Sequence, residues 1–168
     1  MIIGGGTISG ACFDEGRNHR YALWRIWDNT VKPLLFIGLN PSTASEHKDD
    51  PTIIRLVNFA KSWHYGGLYA GNLYSIVSPD PKVLVMPISP FDTDQNDIAL
   101  QAMSKTCSTI LVGWGEWGKR LGKRPDEVLE IIGGRAFCLK INKSGEPVHP
   151  LYQPSDSKLM LYDRKIKG

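Results

Sequence analysis

Cysteine is scarce in this chain: of 168 residues only Cys12, Cys107 and Cys138 carry a thiol. They lie far apart, with no Cys-x-x-Cys pair, which argues against a disulfide scaffold and a structural zinc site. The four histidines, His19, His47, His64 and His149, share no ligand-like spacing with each other or with the cysteines, so neither a metal nor a cofactor is expected. Nowhere do eighteen apolar residues stand together, and the start, Met1 to Gly6, has no basic n-region. Membrane insertion and export are therefore not expected, and a reduced, cytoplasmic protein is. Charge of one sign is not in excess either. Twenty Lys and Arg against 17 Asp and Glu give a net charge of +3, which permits contact with phosphate but not the coating of a nucleic acid. Repeats, low-complexity tracts and linkers are also missing, so residues 1–168 read as one domain.

What is present is an alternation of apolar runs and helical patterns. Leu34-Leu35-Phe36-Ile37-Gly38-Leu39-Asn40-Pro41-Ser42 is an apolar run stopped by a glycine and a polar loop, the pattern of a buried strand that delivers polar groups to its carboxyl edge. Asp50 before Pro51, followed by Ile53, Leu56, Val57, Ala60 and Trp63, predicts a capped helix with proline in its first turn. Further strands are predicted at 68–77, 109–113 and 136–141. Helices are expected from Asp94 through Met103, over Gly115 to Leu121, and over Pro125 to Ile132, the last stopped by Gly133-Gly134. Pro87 to Phe91 reads as a loop. Ala11 to Phe13 and Tyr21 to Ile26 read as an antiparallel hairpin. The expected fold is α/β: a three-layer α/β/α sandwich on a four-stranded, mostly parallel central sheet, with the N-terminal hairpin at its edge or over it. The basic end, residues 160–168, is expected to fray.

Three motifs invite a function and do not carry one. Gly113-Trp114-Gly115-Glu116-Trp117-Gly118-Lys119-Arg120 fits a phosphate-cradling loop except at its eighth position, where Arg120 cannot hold magnesium as Ser or Thr does. Gly4, Gly6 and Gly10 have too short a strand before them and no helix after them for a dinucleotide fingerprint. Lys119, Arg120, Lys123 and Arg124 form a basic cluster that either grips a nucleic-acid backbone or is a solvated helix face.

The motifs taken in order resemble a known family. Phe36 to Ala44, Asp50-Pro51-Thr52, Gly67-Leu68-Tyr69 through Asn72-Leu73, and Pro147-Val148-His149-Pro150-Leu151-Tyr152 are similar to the bacterial and phage proteins grouped as domain of unknown function 1643, over residues 20–152. More remotely, the order resembles the uracil-DNA glycosylase superfamily, which has a Gly-x-Asn-Pro motif after its first core strand and a His-Pro motif after its last. That likeness implies a glycosylase-like fold and a nucleobase or nucleotide pocket lined by Gly38, Asn40, Pro41, Ser42, Asn72, His149 and Pro150. Asn40 would orient a water, His149 would donate to the departing base, Asn72 would read a pyrimidine edge and Ser42 would hold a phosphate. Three functions follow: an N-glycosidic hydrolase acting on DNA or a nucleotide, a non-catalytic nucleic-acid or nucleotide-binding module, and a hydrolase of a small metabolite.

The residues also admit plainer roles. Asn40-Pro41 suits a turn, Asn72 suits a satisfied polar group in a strand, and His149 suits a structural loop histidine. Trp63, Trp114 and Trp117 fit core packing as well as base stacking. Asp50 is accounted for as a helix cap, with a catalytic carboxylate at Asp49 or Asp50 as the lesser reading.

Overall fold

Leu34, Leu35, Phe36 and Ile37 are all buried, which requires that both faces of their strand be covered. The computed structural model, which describes residues 6–164, shows how. Strand β3 (Leu34–Gly38) is flanked by β4 (Gly67–Asn72) and β5 (Thr109–Val112), and β6 (Ala136–Cys138) lies beyond β5; these neighbours pair in parallel. Helix α1 (Pro51–Ser62) packs Ile53, Leu56 and Ala60 against Leu34, Phe36, Leu68, Ala70 and Leu111 on one face. On the other face, Leu100 and Met103 of α2 (Pro90–Thr106) and Val128 of α3 (Arg124–Ile131) pack with Leu35, Ile37, Ile110 and Val112. Even- and odd-numbered residues of β3 thus feed two different cores, as the two-residue period of a strand dictates.

The sheet is larger than the sequence suggests. It has seven strands in the order β1-β2-β4-β3-β5-β6-β7, not four. The N-terminal hairpin, β1 (Ile8–Phe13) and β2 (Arg20–Ile26), is part of it, because β2 pairs antiparallel with β4. At the opposite edge Met160–Tyr162 forms β7, antiparallel to β6. The basic end is therefore not frayed through residue 162: Tyr162 is buried on the edge of Trp114, and Arg164 pairs with Asp126 and Glu146. Residues 165–168 of the expected tail, and Gly4 of the rejected glycine motif, lie outside the described residues.

Several element boundaries also differ. The strand expected at 68–77 stops at Asn72, and that expected at 136–141 stops at Cys138. Helix α2 starts at Pro90 behind Ser89, four residues before Asp94, and so absorbs the end of the expected loop. Proline in the first turn explains this, since its missing N–H is one the helix would leave free anyway. Glu116–Arg120 is a single 3-10 turn. Where caps were readable the agreement is close. Asp50 accepts from Ile53 N–H at 2.9 Å to start α1, and Gly133 and Gly134 take φ of 91° and 78° to end the chain's path out of α3.

Chain direction fixes where a site can form. From β3 the chain crosses through α1 to β4 on one side, then through α2 to β5 on the other. In such a sheet the connections part at the carboxyl ends of the strands and leave a crevice there.

Candidate functional site

A cavity of about 360 Å³ lies at the carboxyl ends of β3, β4 and β5, within the range of small-molecule sites. Gly38 and Asn72, the last residues of β3 and β4, are parallel register partners. Phe36, 3% exposed, also lines the cavity, with its ring close to both Gly38 and Gly113. Asn72 is 6% exposed and lines the cavity, yet among the described residues no hydrogen bond engages its side-chain amide. Its backbone is held: its carbonyl accepts from Asn96 Nδ2 at 3.0 Å, and the next carbonyl, of Leu73, accepts from Arg124 Nε at 2.7 Å. A fixed main chain thus carries an unengaged amide, which a ligand can satisfy with one donor and one acceptor.

Asn40 also lines the cavity, with its amide half committed. Nδ2 donates to the carbonyls of Pro41, Ile76 and Ser78 at 3.2, 3.1 and 2.9 Å. Three carbonyl acceptors around one atom identify that atom as the NH₂ end. The turn expected of Asn40-Pro41 is thereby fastened to the loop after β4, and among the described residues Oδ1 is the end left without a protein partner. Pro41 and Ser42 line the same cavity, Pro41 buried and Ser42 half-buried.

His149 reaches the cavity on the segment that follows β6 and packs beside α1. It precedes the 3-10 turn Pro150–Tyr152, and its Nδ1 accepts from Leu151 N–H at 3.2 Å. An acceptor Nδ1 carries no proton, so in the neutral ring the proton is on Nε2, which can donate. Burial pushes the imidazole below its ordinary value of 6.5, with the negative charge of Asp50 offsetting part of the effect. The ring is accordingly neutral at pH 7. Pro150 is buried beside Gly113 and is not among the residues that line the cavity.

Three further residues line the cavity: Trp114 and Asp50, which the sequence offers chiefly in plainer roles, and Arg20, which it does not mark. Trp114, 2% exposed, forms a wall and is locked by a 2.6 Å hydrogen bond from Nε1 to Glu146, which is itself buried. Gly118 leaves room for that pair, since a Cβ there would lie on Trp114. Asp50 caps α1 from the cavity rim. Arg20, on β2, is 4% exposed and lines the cavity with a charged group. Nothing in the motif pattern marks Arg20; the only signal is a charge beside the apolar run of an interior strand.

The basic cluster does not stay together. Arg124 is buried, bonded to Asp97 at 2.6 Å and to the Leu73 carbonyl, and is a structural residue. The expectation that it contacts a nucleic-acid backbone is withdrawn on that ground. Lys119 pairs with Glu116 at 3.1 Å, Arg120 stacks over Trp117 at 4.8 Å, and Lys123 is exposed. Trp63 stacks on Phe59 away from the cavity, whereas Trp117 lines it. Among the described residues no helix is long and apolar enough to cross a membrane.

These features define an α/β protein with a cavity of mixed polar and apolar lining at the carboxyl edge of a parallel sheet core. The family described as protein of unknown function (DUF1643) matches residues 20–151, and the chain belongs to it. No curated protein and no solved structure matches the chain.

Proposed function

We propose that the cavity recognises a nucleobase or nucleotide, and that hydrolysis of an N-glycosidic bond is the activity it is built for. The observation that carries this reading is the convergence of an unengaged, buried Asn72 amide, a neutral His149 with Nε2–H available and an Asn40 Oδ1 without a protein partner around one cavity. A base offers alternating donors and acceptors along one edge, which is what an amide and an imidazole N–H can read. The order of motifs, which resembles the uracil-DNA glycosylase superfamily, supports the same assignment.

In this reading Asn72 binds the base edge. His149 donates to a base carbonyl oxygen on which negative charge develops as the bond to the sugar breaks, and a preorganised donor of that kind contributes roughly 2.7–4 kcal/mol. Asn40 positions the attacking water through Oδ1 and supplies orientation, because an amide is a poor base. Pro41 and Ser42 contact the sugar and phosphate side. DNA or a free nucleotide is the partner, and no metal or cofactor takes part.

A non-catalytic binding module is the second reading, favoured by the exposed ring of Tyr152, 83% accessible and 6.4 Å from that of His149, on which a base can stack. Release of free base from uracil-, hypoxanthine- and modified-base oligonucleotides and nucleotides, compared between the native chain, Asn72→Ala and His149→Ala, separates the two. Release lost in both variants establishes the hydrolase. Absence of release, with binding intact, leaves the module.

A further inference from the structure

Arg20 is a buried cation that the fold leaves under-used. Its Nη1 donates to the Ala44 carbonyl at 2.9 Å. Its Nε is buried with no hydrogen-bond partner, and no protein hydrogen bond involves Nη2 among the described residues. Among the described residues no carboxylate pairs with it. Asp50 is near enough to favour its charged form, but Oδ1 of Asp50 is taken by the first turn of α1. Burial lowers the guanidinium to about 10, so it stays charged at neutral pH.

Arg25, further along the same strand and equally buried, shows what a purely structural arginine looks like here. Its Nε, Nη1 and Nη2 donate to Asp49, Trp24 and Ser45 respectively, which fastens the loop between β3 and α1. Arg20 reaches the same loop with one nitrogen only; the residue lines the cavity, its Nε is enclosed, and Nη2 is the unbonded nitrogen left open among the described residues. A buried cation with so few partners is costly unless something else meets it.

Nη2 carries two N–H groups, and a guanidinium N–H is a charge-assisted donor well suited to a phosphate oxygen. We propose that Nη2 of Arg20 anchors a phosphate group of the ligand, so that the cavity takes a phosphorylated nucleoside unit rather than a bare base or nucleoside. The inference deepens the reading above and rests on it for the nucleoside part; the anion anchor itself rests on Arg20 alone. The phosphate belongs to a free nucleotide or to a nucleic-acid strand.

The test is calorimetric titration and thermal melting of the full chain, R20K and R20Q. The probes are inorganic phosphate, deoxyuridine, its 5′-monophosphate and a uracil-containing single-stranded oligonucleotide. The expected result is that the native chain binds the monophosphate about tenfold or more tightly than the nucleoside. The gap narrows in R20K, which keeps the charge but not the planar donor, and closes in R20Q, the monophosphate losing more affinity than the nucleoside in both. A merely structural Arg20 would lower affinity for both probes together. If R20Q does not fold, R20K carries the comparison. A tighter oligonucleotide assigns the phosphate to a strand, and a tighter monophosphate assigns it to a free nucleotide. Melting raised by inorganic phosphate in the native chain but not in R20K, with no preference for either nucleoside probe, keeps the anchor and overturns the nucleobase reading. Equal affinity for nucleoside and monophosphate overturns the anchor and leaves the nucleobase reading standing. Failure of every probe to bind overturns both.

Discussion

Gly38 and Asn72 end adjacent parallel strands so close together that a Cβ on Gly38 would stand 2.9 Å from Asn72 Oδ1 and 2.9 Å from the Phe36 ring. The glycine is required by this approach and not by its backbone angles, since its φ is not among the positive ones. Gly38→Ala should cost about 1–3 kcal/mol in urea unfolding, the usual range for overpacking. It should weaken ligand binding by more than that loss implies, because Asn72 must move out of the cavity. Unchanged affinity in a destabilised variant would mean that Asn72 does not contact the ligand.

His149 gives the site a signed pH dependence. Burial holds its folded value below 6.5, so the unfolded chain takes up the proton first as pH falls. The stability it contributes is fully present above about 6.5 and is lost progressively as pH drops toward and through the lowered value. Ligand binding should follow the same acid limb, since protonation removes the Nδ1 acceptor that holds the ring on Leu151 N–H. His149→Gln should flatten that limb in both unfolding and binding measured from pH 7 to pH 5. A limb of equal size in the variant would assign it to another group.

Asn40 allows a test of which end of its amide faces the loop. Its three carbonyl neighbours, Pro41, Ile76 and Ser78, demand N–H groups. Asn40→Asp would set a carboxylate oxygen against them and should cost more than Asn40→Ala. The excess expected is about 1–3 kcal/mol, the penalty for unsatisfied and opposed polar groups. Melting temperatures of the two variants decide the point, and an Asp variant as stable as the wild type would reverse the amide. For this reason Asn40 variants report on catalysis only beside a folding control.

The legible parts of this chain were those whose cause is local. Asp50-Pro51 starts α1 because one carboxylate, one N–H and one proline ring suffice, and Leu34–Gly38 is readable as a strand because a run buried on both faces has no polar alternation to confuse it. Asn40, Ser42, Asn72 and His149 were legible as a set through motif order, and the fold brings them to one cavity. What was hidden depends on distant partners. Strand β7 exists because β6 offers an edge to pair with, which nothing in Met160-Leu161-Tyr162 announces. Arg20 and Arg124 resemble any exposed arginine until the elements that bury them are in place.

Arg124 and its neighbours make that last point measurable. Among Lys119, Arg120, Lys123 and Arg124, only Arg124 is enclosed, with its side chain 3% exposed, 2.6 Å from Asp97 and 2.7 Å from the Leu73 carbonyl. Removing one partner of a buried pair leaves the other uncompensated, so Arg124→Ala should cost about 3 kcal/mol. Asp97→Asn leaves the enclosed guanidinium without its nearest counter-charge, but the amide oxygen can still accept from it and Glu127 lies 3.8 Å away, so it should cost less, about 1–2 kcal/mol. Alanine at Lys119, Arg120 or Lys123 should shift stability by about 0.5 kcal/mol or less each. Because the Leu73 carbonyl adjoins Asn72, Arg124→Ala should also reduce ligand affinity, and it should do so equally at low and high salt. A loss of affinity that fades with salt would instead return Arg124 to the role of a phosphate contact. Urea titrations of the five variants, with binding measured at two salt concentrations, separate a cation that positions the end of β4 from three that lie on the surface.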